Sequence, residues 1–261
     1  MTTIWKRKDL KTKGKAAFQA NYWKCLVCAL ILAVITGGVS SGFTGGLQFR
    51  APDRNHEVVE VENLNDLLDL DAEDISEQVS EGIDPAVGAG IAVFSIVAVV
   101  IGTVVLAIGI AVDAFLVNPI ELGCKRFFRR NLDEPASLSN ITYAFDASYM
   151  NIVKTMILRD IFTALWSMLF FIPGIIKAYE YRMIPYLLSE DPTMSYQEAF
   201  AQSKALMTGN KWKAFVLDLS FILWDIGSIF TCGLLGIFYV EPYKASTSAA
   251  LYETLKYGTN S

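Results

Sequence analysis

Eight charged side chains stand inside or at the margins of long apolar runs: Asp113, Arg159, Asp160, Glu180, Arg182, Asp218, Asp225 and Glu241. An ionised group in hydrocarbon is costly, so such residues either serve function or find partners. Two chemistries fit them. Asp160, Glu180, Arg182, Asp218, Asp225 and Glu241 could line a polar cavity that conducts protons or binds a cationic or zwitterionic solute. Alternatively, Arg159 or Arg182 pairs with acids on neighbouring helices and fixes their register. Asp218 and Asp225 are separated by two helical turns and share a face. Asp225 lies roughly 18 Å along the helix from Lys213, and Asp113 lies near the end of its own run.

Other chemistry is not written into the chain. No P-loop, G-x-S-x-G, H-E-x-x-H or dinucleotide fingerprint occurs in a fitting context. His56 is the only histidine. Cys25-x-x-Cys28 invites a redox or zinc reading, but it sits in an apolar segment without further ligands. Cys25, Cys28, Cys124 and Cys232 are expected to act as small buried residues. Neither an enzyme nor a cofactor or metal is expected.

The elements that carry the charges follow from hydropathy. The chain of 261 residues is 53% hydrophobic and only 19% charged, with a mean hydropathy of +0.37. The expected fold is an all-α integral membrane bundle of six transmembrane helices. The spans are 23–43, 86–118, 151–172, 174–189, 211–231 and 233–252. Before the first lies a basic segment, 1–22, and after the last a tail, 253–261. Segments 119–150 and 190–210 are expected to be amphipathic and cytoplasmic. In the second, Ser195-x-x-Glu198 forms a capping box. Pro173-Gly174 and Cys232-Gly233 read as tight turns.

Between spans one and two lies an acidic loop, 44–85. Residues 50–84 hold twelve of the 27 acids and two of the 22 lysines and arginines. The remaining residues therefore carry 20 bases against 15 acids. Leu64, Leu67, Leu68, Ile75 and Val79 place a short amphipathic helix within this loop. Basic clusters mark the cytoplasmic side, which puts both termini inside a cell membrane and the acidic loop outside. The bilayer is the expected partner. The loop could engage a cationic ligand or peptide, and a membrane-protein partner fits the topology. No basic, aromatic-rich face indicates nucleic acid.

Short motifs recur at the span starts. Asn21-Tyr-Trp23-Lys24, Asn151-Ile-Val-Lys154 and Asn210-Lys-Trp212-Lys213 share the pattern Asn-x-(Trp or Val)-Lys. Each return helix holds a proline: Pro119, Pro185 and Pro242. Gly174-Ile followed by Tyr181-Arg182 parallels Gly236-Ile followed by Tyr243-Lys244. These matches read as three repeated hairpins, each entered through an amphipathic segment, although interface residues also recur by chance. A proline frees one helical carbonyl, which in lipid must find another donor.

Ile172-Pro-Gly-Ile-Ile-Lys-Ala-Tyr, Tyr181-x-Met-x-Pro-Tyr186, Glu198-Ala, Ser203 and Leu206-Met-x-Gly-Asn-Lys-Trp212 resemble a bacterial family of multi-pass membrane proteins. That family is catalogued only as domain of unknown function 975. Phe221-Ile-x-Trp224 and Tyr252-Glu253 fit it too. The resemblance spans roughly residues 151–253 and is weaker over the first two spans. It implies a membrane fold and no activity. A more distant similarity, to the membrane part of glycerophosphodiester phosphodiesterases, implies no catalysis, because their catalytic domain has no counterpart. The functions to weigh are a non-enzymatic scaffold, subunit or regulator; a small-solute or ion transporter; and an external binder of cationic peptides.

Overall fold

The computed structural model describes residues 5–45, 85–146, 148–231 and 233–258, and among them every regular element is helical. The acidic loop beyond Gly45, its amphipathic helix, His56 and Cys232 lie outside the described residues. The chain divides into two units, residues 45–110 and the remainder.

The first of these units contributes α3, Pro85–Val112, whose side chains from Gly90 onward are exposed. The helical run Gly90–Arg130 is the one helix among the described residues that is long and apolar enough to cross a membrane. It passes through a π-helical turn, Asp113–Val117, into α4, Asn118–Arg130.

The larger unit is built from three helix pairs and the segments that precede them. Helix α1, Arg7–Ala20, turns by 106° at Asn21 into α2, Tyr22–Gly45. Arg7–Ala20 and Tyr22–Val34 are together long and apolar enough to cross a membrane as one bent span. Helix α2 packs on α4, where the Cys28 thiol donates to the Cys124 carbonyl and the Cys124 thiol to that of Cys28. A 3-10 turn, Leu138–Thr142, and α5, Tyr143–Asp146, lead to α6, Tyr149–Leu169. Helices α7, Phe171–Tyr181, and α8, Ile184–Glu190, return alongside it. Then come α9, Tyr196–Met207; α10, Lys211–Leu219; α11, Ile222–Phe230; and α12, Glu241–Tyr257, entered through a π turn at Gly236–Val240.

Local chemistry accounts for the element ends. The Ser195 hydroxyl accepts from the Glu198 amide at 3.3 Å, the expected cap of α9. The turn expected at Pro173-Gly174 falls instead at Phe170, whose backbone is extended. Pro173 belongs to the first turn of α7, where its missing N–H costs nothing. Gly174 is needed for contact, because a β-carbon there would lie 2.6 Å from the Ser167 Cα. Gly233, at φ +83°, makes the turn after α11.

Each proline follows an irregularity. Pro119 and Pro242 follow the two π turns, and Pro185 follows the break between α7 and α8. The carbonyls four residues before two of them have found donors. The Tyr149 hydroxyl donates to Phe115 O at 2.6 Å, and that of Tyr22 to Phe238 O at 3.2 Å. A further break, at Ser220-Phe221, divides the expected fifth span into α10 and α11.

The buried core gathers Phe18, Cys25, Leu122, Phe127, Phe128, Ile152, Met156, Leu187, Leu217 and Leu251. Away from this core the helices expose apolar side chains. Met168, Leu169, Phe170 and Ile172 are exposed around the α6–α7 turn, and Leu223, Ile229, Phe230 and Leu234 around the α11 turn.

Candidate functional site

The helix pairs meet through polar side chains, and the charged residues singled out in the sequence, Asp113 excepted, fall into four ion-paired groups. Arg159 on α6 reaches Glu121 on α4 at 3.1 Å and its neighbour Asp160 at 2.7 Å. Asn118 closes this group: its amide donates to Asp160 at 2.7 Å, and its oxygen accepts from Arg159 at 3.3 Å. Lys125 lies 4.0 Å from Glu121. Arg159 and Lys125 thus both face the Glu121 carboxylate. Asp113, on the π turn, is close enough to feel Asp160, Arg159 and Glu121 electrostatically.

In the second group Arg182, just beyond α7, grips Asp218 on α10 with both guanidinium nitrogens, at 2.6 and 3.1 Å. Arg182 also donates to Ser248 on α12, and the Tyr179 hydroxyl donates to Asp218 at 2.7 Å. A bidentate fork of this kind fixes orientation as well as charge. In the third, Lys244 on α12 pairs with Asp225 on α11 at 2.8 Å and with Glu241 at 3.7 Å. In the fourth, buried Glu180 receives Lys177 and Lys211. The six residues expected to line one cavity are thus divided among all four groups.

A groove of about 510 Å³ runs between α4, α6, α7 and α12. Glu121, Lys125, Arg159, Asp160, Arg182 and Tyr186 contribute to its wall, whereas Glu180, Asp218, Asp225 and Glu241 do not. Tyr186 is 1% exposed, and its hydroxyl has no hydrogen-bond partner among the described residues.

The asparagines at the helix starts work as latches. Asn21 donates to Asn131 and to the Ala136 carbonyl, which precede the 3-10 turn. Asn151 donates to the carbonyls of Pro192 and Met194, which precede α9, at 2.8 Å each. The side-chain oxygen of Asn210 accepts from the indole of Trp5, which precedes α1, at 3.0 Å. Packing follows the same order: the 3-10 turn lies on α4, α9 on α7 and α8, and α1 on α12. Trp23 and Trp212 are each 73% exposed, and Lys154 lies 5.3 Å over the Tyr196 ring.

Several partners escaped the sequence reading. Lys244 had a signal, because Tyr243-Lys244 occupies the place of Tyr181-Arg182. Glu121, Lys177 and Lys211 flank charges already in view, one or two turns away or in a following motif. Trp5 had none, since its partner lies on the third helix pair.

Residues 137–258 match the model of a family described as Protein of unknown function (DUF975). The DUF975 match begins just before the 3-10 turn and ends after α12, so it takes in the second and third helix pairs. No curated protein and no solved structure matches the chain.

Proposed function

We propose that the chain is a six-span protein of the cell membrane with both ends in the cytoplasm, built as three repeated hairpins. It acts without catalysis, as a scaffold, subunit or regulator of a membrane assembly. The observation that carries this reading is the pairing of the charges. Among the described residues, all of the eight singled out but Asp113 have an ion-pair partner, and the Arg159 and Arg182 groups join one helix pair to the next. Charges committed in this way hold helices in register and leave little acid free to carry ions.

The membrane reading is supported by the exposed apolar turns and by length. From Trp212 to Phe230 the helical rise is about 27 Å, close to the roughly 30 Å of a hydrocarbon core. The breaks at Arg182 and Ser220 are compatible with a span because both sit against protein. Ser220 O accepts from Lys11, and Arg182 is held by Asp218. The repeat is supported by the parallel asparagine latches and by the tyrosines on the proline-freed carbonyls. The distant likeness to glycerophosphodiester phosphodiesterases brings no activity to this reading.

A second reading, transport of a small zwitterionic solute, is favoured by the groove beside Arg159 and the Tyr186 hydroxyl, which has no partner among the described residues. Flux in proteoliposomes separates the two. The scaffold reading expects wild type, Asp225→Asn and Tyr186→Phe all to equal empty liposomes. Wild-type flux above that background, reduced by either substitution, would sink it.

A further inference from the structure

We propose that the groove between α1 and α10 binds the phosphate-bearing headgroup of an anionic phospholipid in the cytoplasmic leaflet. The proposal rests on the membrane reading above. The groove has a volume of about 630 Å³, and its wall carries Lys6, Arg7, Lys8, Lys11 and Lys213 with no acid. Elsewhere several lysines are ion-paired: Lys13 with Glu253, Lys177 and Lys211 with Glu180, Lys244 with Asp225 and Lys256 with Glu190. Among the described residues, Lys6, Arg7, Lys8 and Lys213 form no ion pair. Lys11 is anchored rather than neutralised, with its ammonium on the Ser220 carbonyl and 4.2 Å over the Phe221 ring.

Orientation places this charge at headgroup level. Where α2 runs along the bilayer normal, the 106° turn at Asn21 lays α1 close to the membrane plane. Lys8, Lys11 and Lys15 then follow one another along a single side of the helix. Trp212, 73% exposed beside Lys213, has the amphipathic character of an interfacial anchor. Trp212, Val216 and Leu219 follow at helical spacing down α10, and exposed Leu223 continues below them. That track offers apolar contact to an acyl chain, which a soluble anion lacks. Five uncompensated cations favour an anionic headgroup over a zwitterionic one, whose own cation they repel. Basic clusters next to spans recognise anionic lipid in this way, each cation contributing about fivefold.

The test uses the full chain in detergent, titrated with phosphatidylglycerol or phosphatidylcholine, with retained lipid counted by native mass spectrometry. Wild type is expected to hold phosphatidylglycerol preferentially. The triple variant Lys6→Gln/Lys8→Gln/Lys213→Gln is expected to weaken that retention about a hundredfold and leave phosphatidylcholine unchanged. Lys204→Gln, which removes a cation from α9, is expected to have no effect. Equal retention of both lipids by wild type, or an unaffected triple variant, would overturn the proposal. So would displacement of phosphatidylglycerol by excess inorganic phosphate, which assigns the groove to a free anion. All three substituted side chains are exposed, and monodisperse elution confirms that the variant is folded. Alkaline carbonate extraction of cell membranes tests the underlying reading separately. A chain that extracts refutes the membrane reading, whereas one that stays but shows no lipid preference refutes only the headgroup site.

Discussion

Replacing Gly123 by alanine sets two effects of opposite sign against each other. On α4, a β-carbon at this position would lie 2.0 Å from the Ile141 carbonyl oxygen, 2.5 Å from its carbonyl carbon and 2.7 Å from its Cα. All three are backbone atoms, so no side-chain rotation relieves the clash. The 3-10 turn must retreat by more than 1 Å, and it carries Ile141 out of the core that it shares with Phe127 and Phe128. Overpacking of this kind costs about 1–3 kcal/mol, and backbone contact puts this site at the upper end. Alanine returns about 1 kcal/mol through helix propensity. The expected net loss is about 1–2 kcal/mol. At roughly 2–4 °C per kcal/mol, that lowers Tm by about 2–8 °C. Gly102 is the control: it lies in α3 with nothing within 4 Å of an added β-carbon, so Gly102→Ala keeps only the propensity gain. Thermal unfolding of the purified full chain, read by size-exclusion fluorescence, gives both values. A Gly123→Ala protein at or above the wild-type Tm would refute the packing of α4 on the 3-10 turn.

Three further outcomes are expected. Glu190 is a carboxylate outside the apolar runs; burial opposes its ionisation, but hydrogen bonds from Lys256, Tyr252 and Tyr257 prevail and hold it below the ordinary value of 4.5. Its stabilising contribution is therefore present above pH 4.5 and lost as pH falls through the lowered value. Glu190→Gln should melt lower than wild type at pH 7, and the gap should close in acid; a constant gap would argue against the linkage. Arg182→Met leaves half-exposed Asp218 without its fork and should destabilise by about 1–2 kcal/mol, whereas Arg182→Met/Asp218→Leu should recover most of that loss in the same melting assay. Tyr149→Phe removes the donor to the Phe115 carbonyl and should cost about 1 kcal/mol, with melting unchanged counting against a role for that bond.

Much of the helical pattern was legible before any coordinates, because apolar runs and capping signals act locally. Ser195 capped α9 as its spacing demands. The prolines announced irregular helices, since each lacks a donor and crowds the preceding turn. The break at Ser220 was not legible: no proline lies near it, and its carbonyl is satisfied by Lys11 from the other end of the chain. Pro173-Gly174 reads as a turn three residues past the one at Phe170, because Pro-Gly signals a turn unless the proline lies in a first helical turn. Charges were visible as individual residues, but pairing depends on which helices become neighbours. Arg159 and Arg182 alone could not supply every acid; Lys211 reaches Glu180 from the start of α10, and Lys244 reaches Asp225 from α12.

The bond from Trp5 to Asn210 also carries a clock. Its two halves are 205 residues apart, and at about 5–20 residues per second the ribosome makes the second roughly 10–40 s after the first. Throughout that interval α1 has neither Asn210 nor α12 to rest on, and its lysines are without the Ser220 carbonyl and Glu253. The contacts that join α1 to the last helix pair must wait for that pair to be made. Docking of α1 therefore follows synthesis of its partners, and a nascent chain halted after the second helix pair would present a basic helix still looking for its seat.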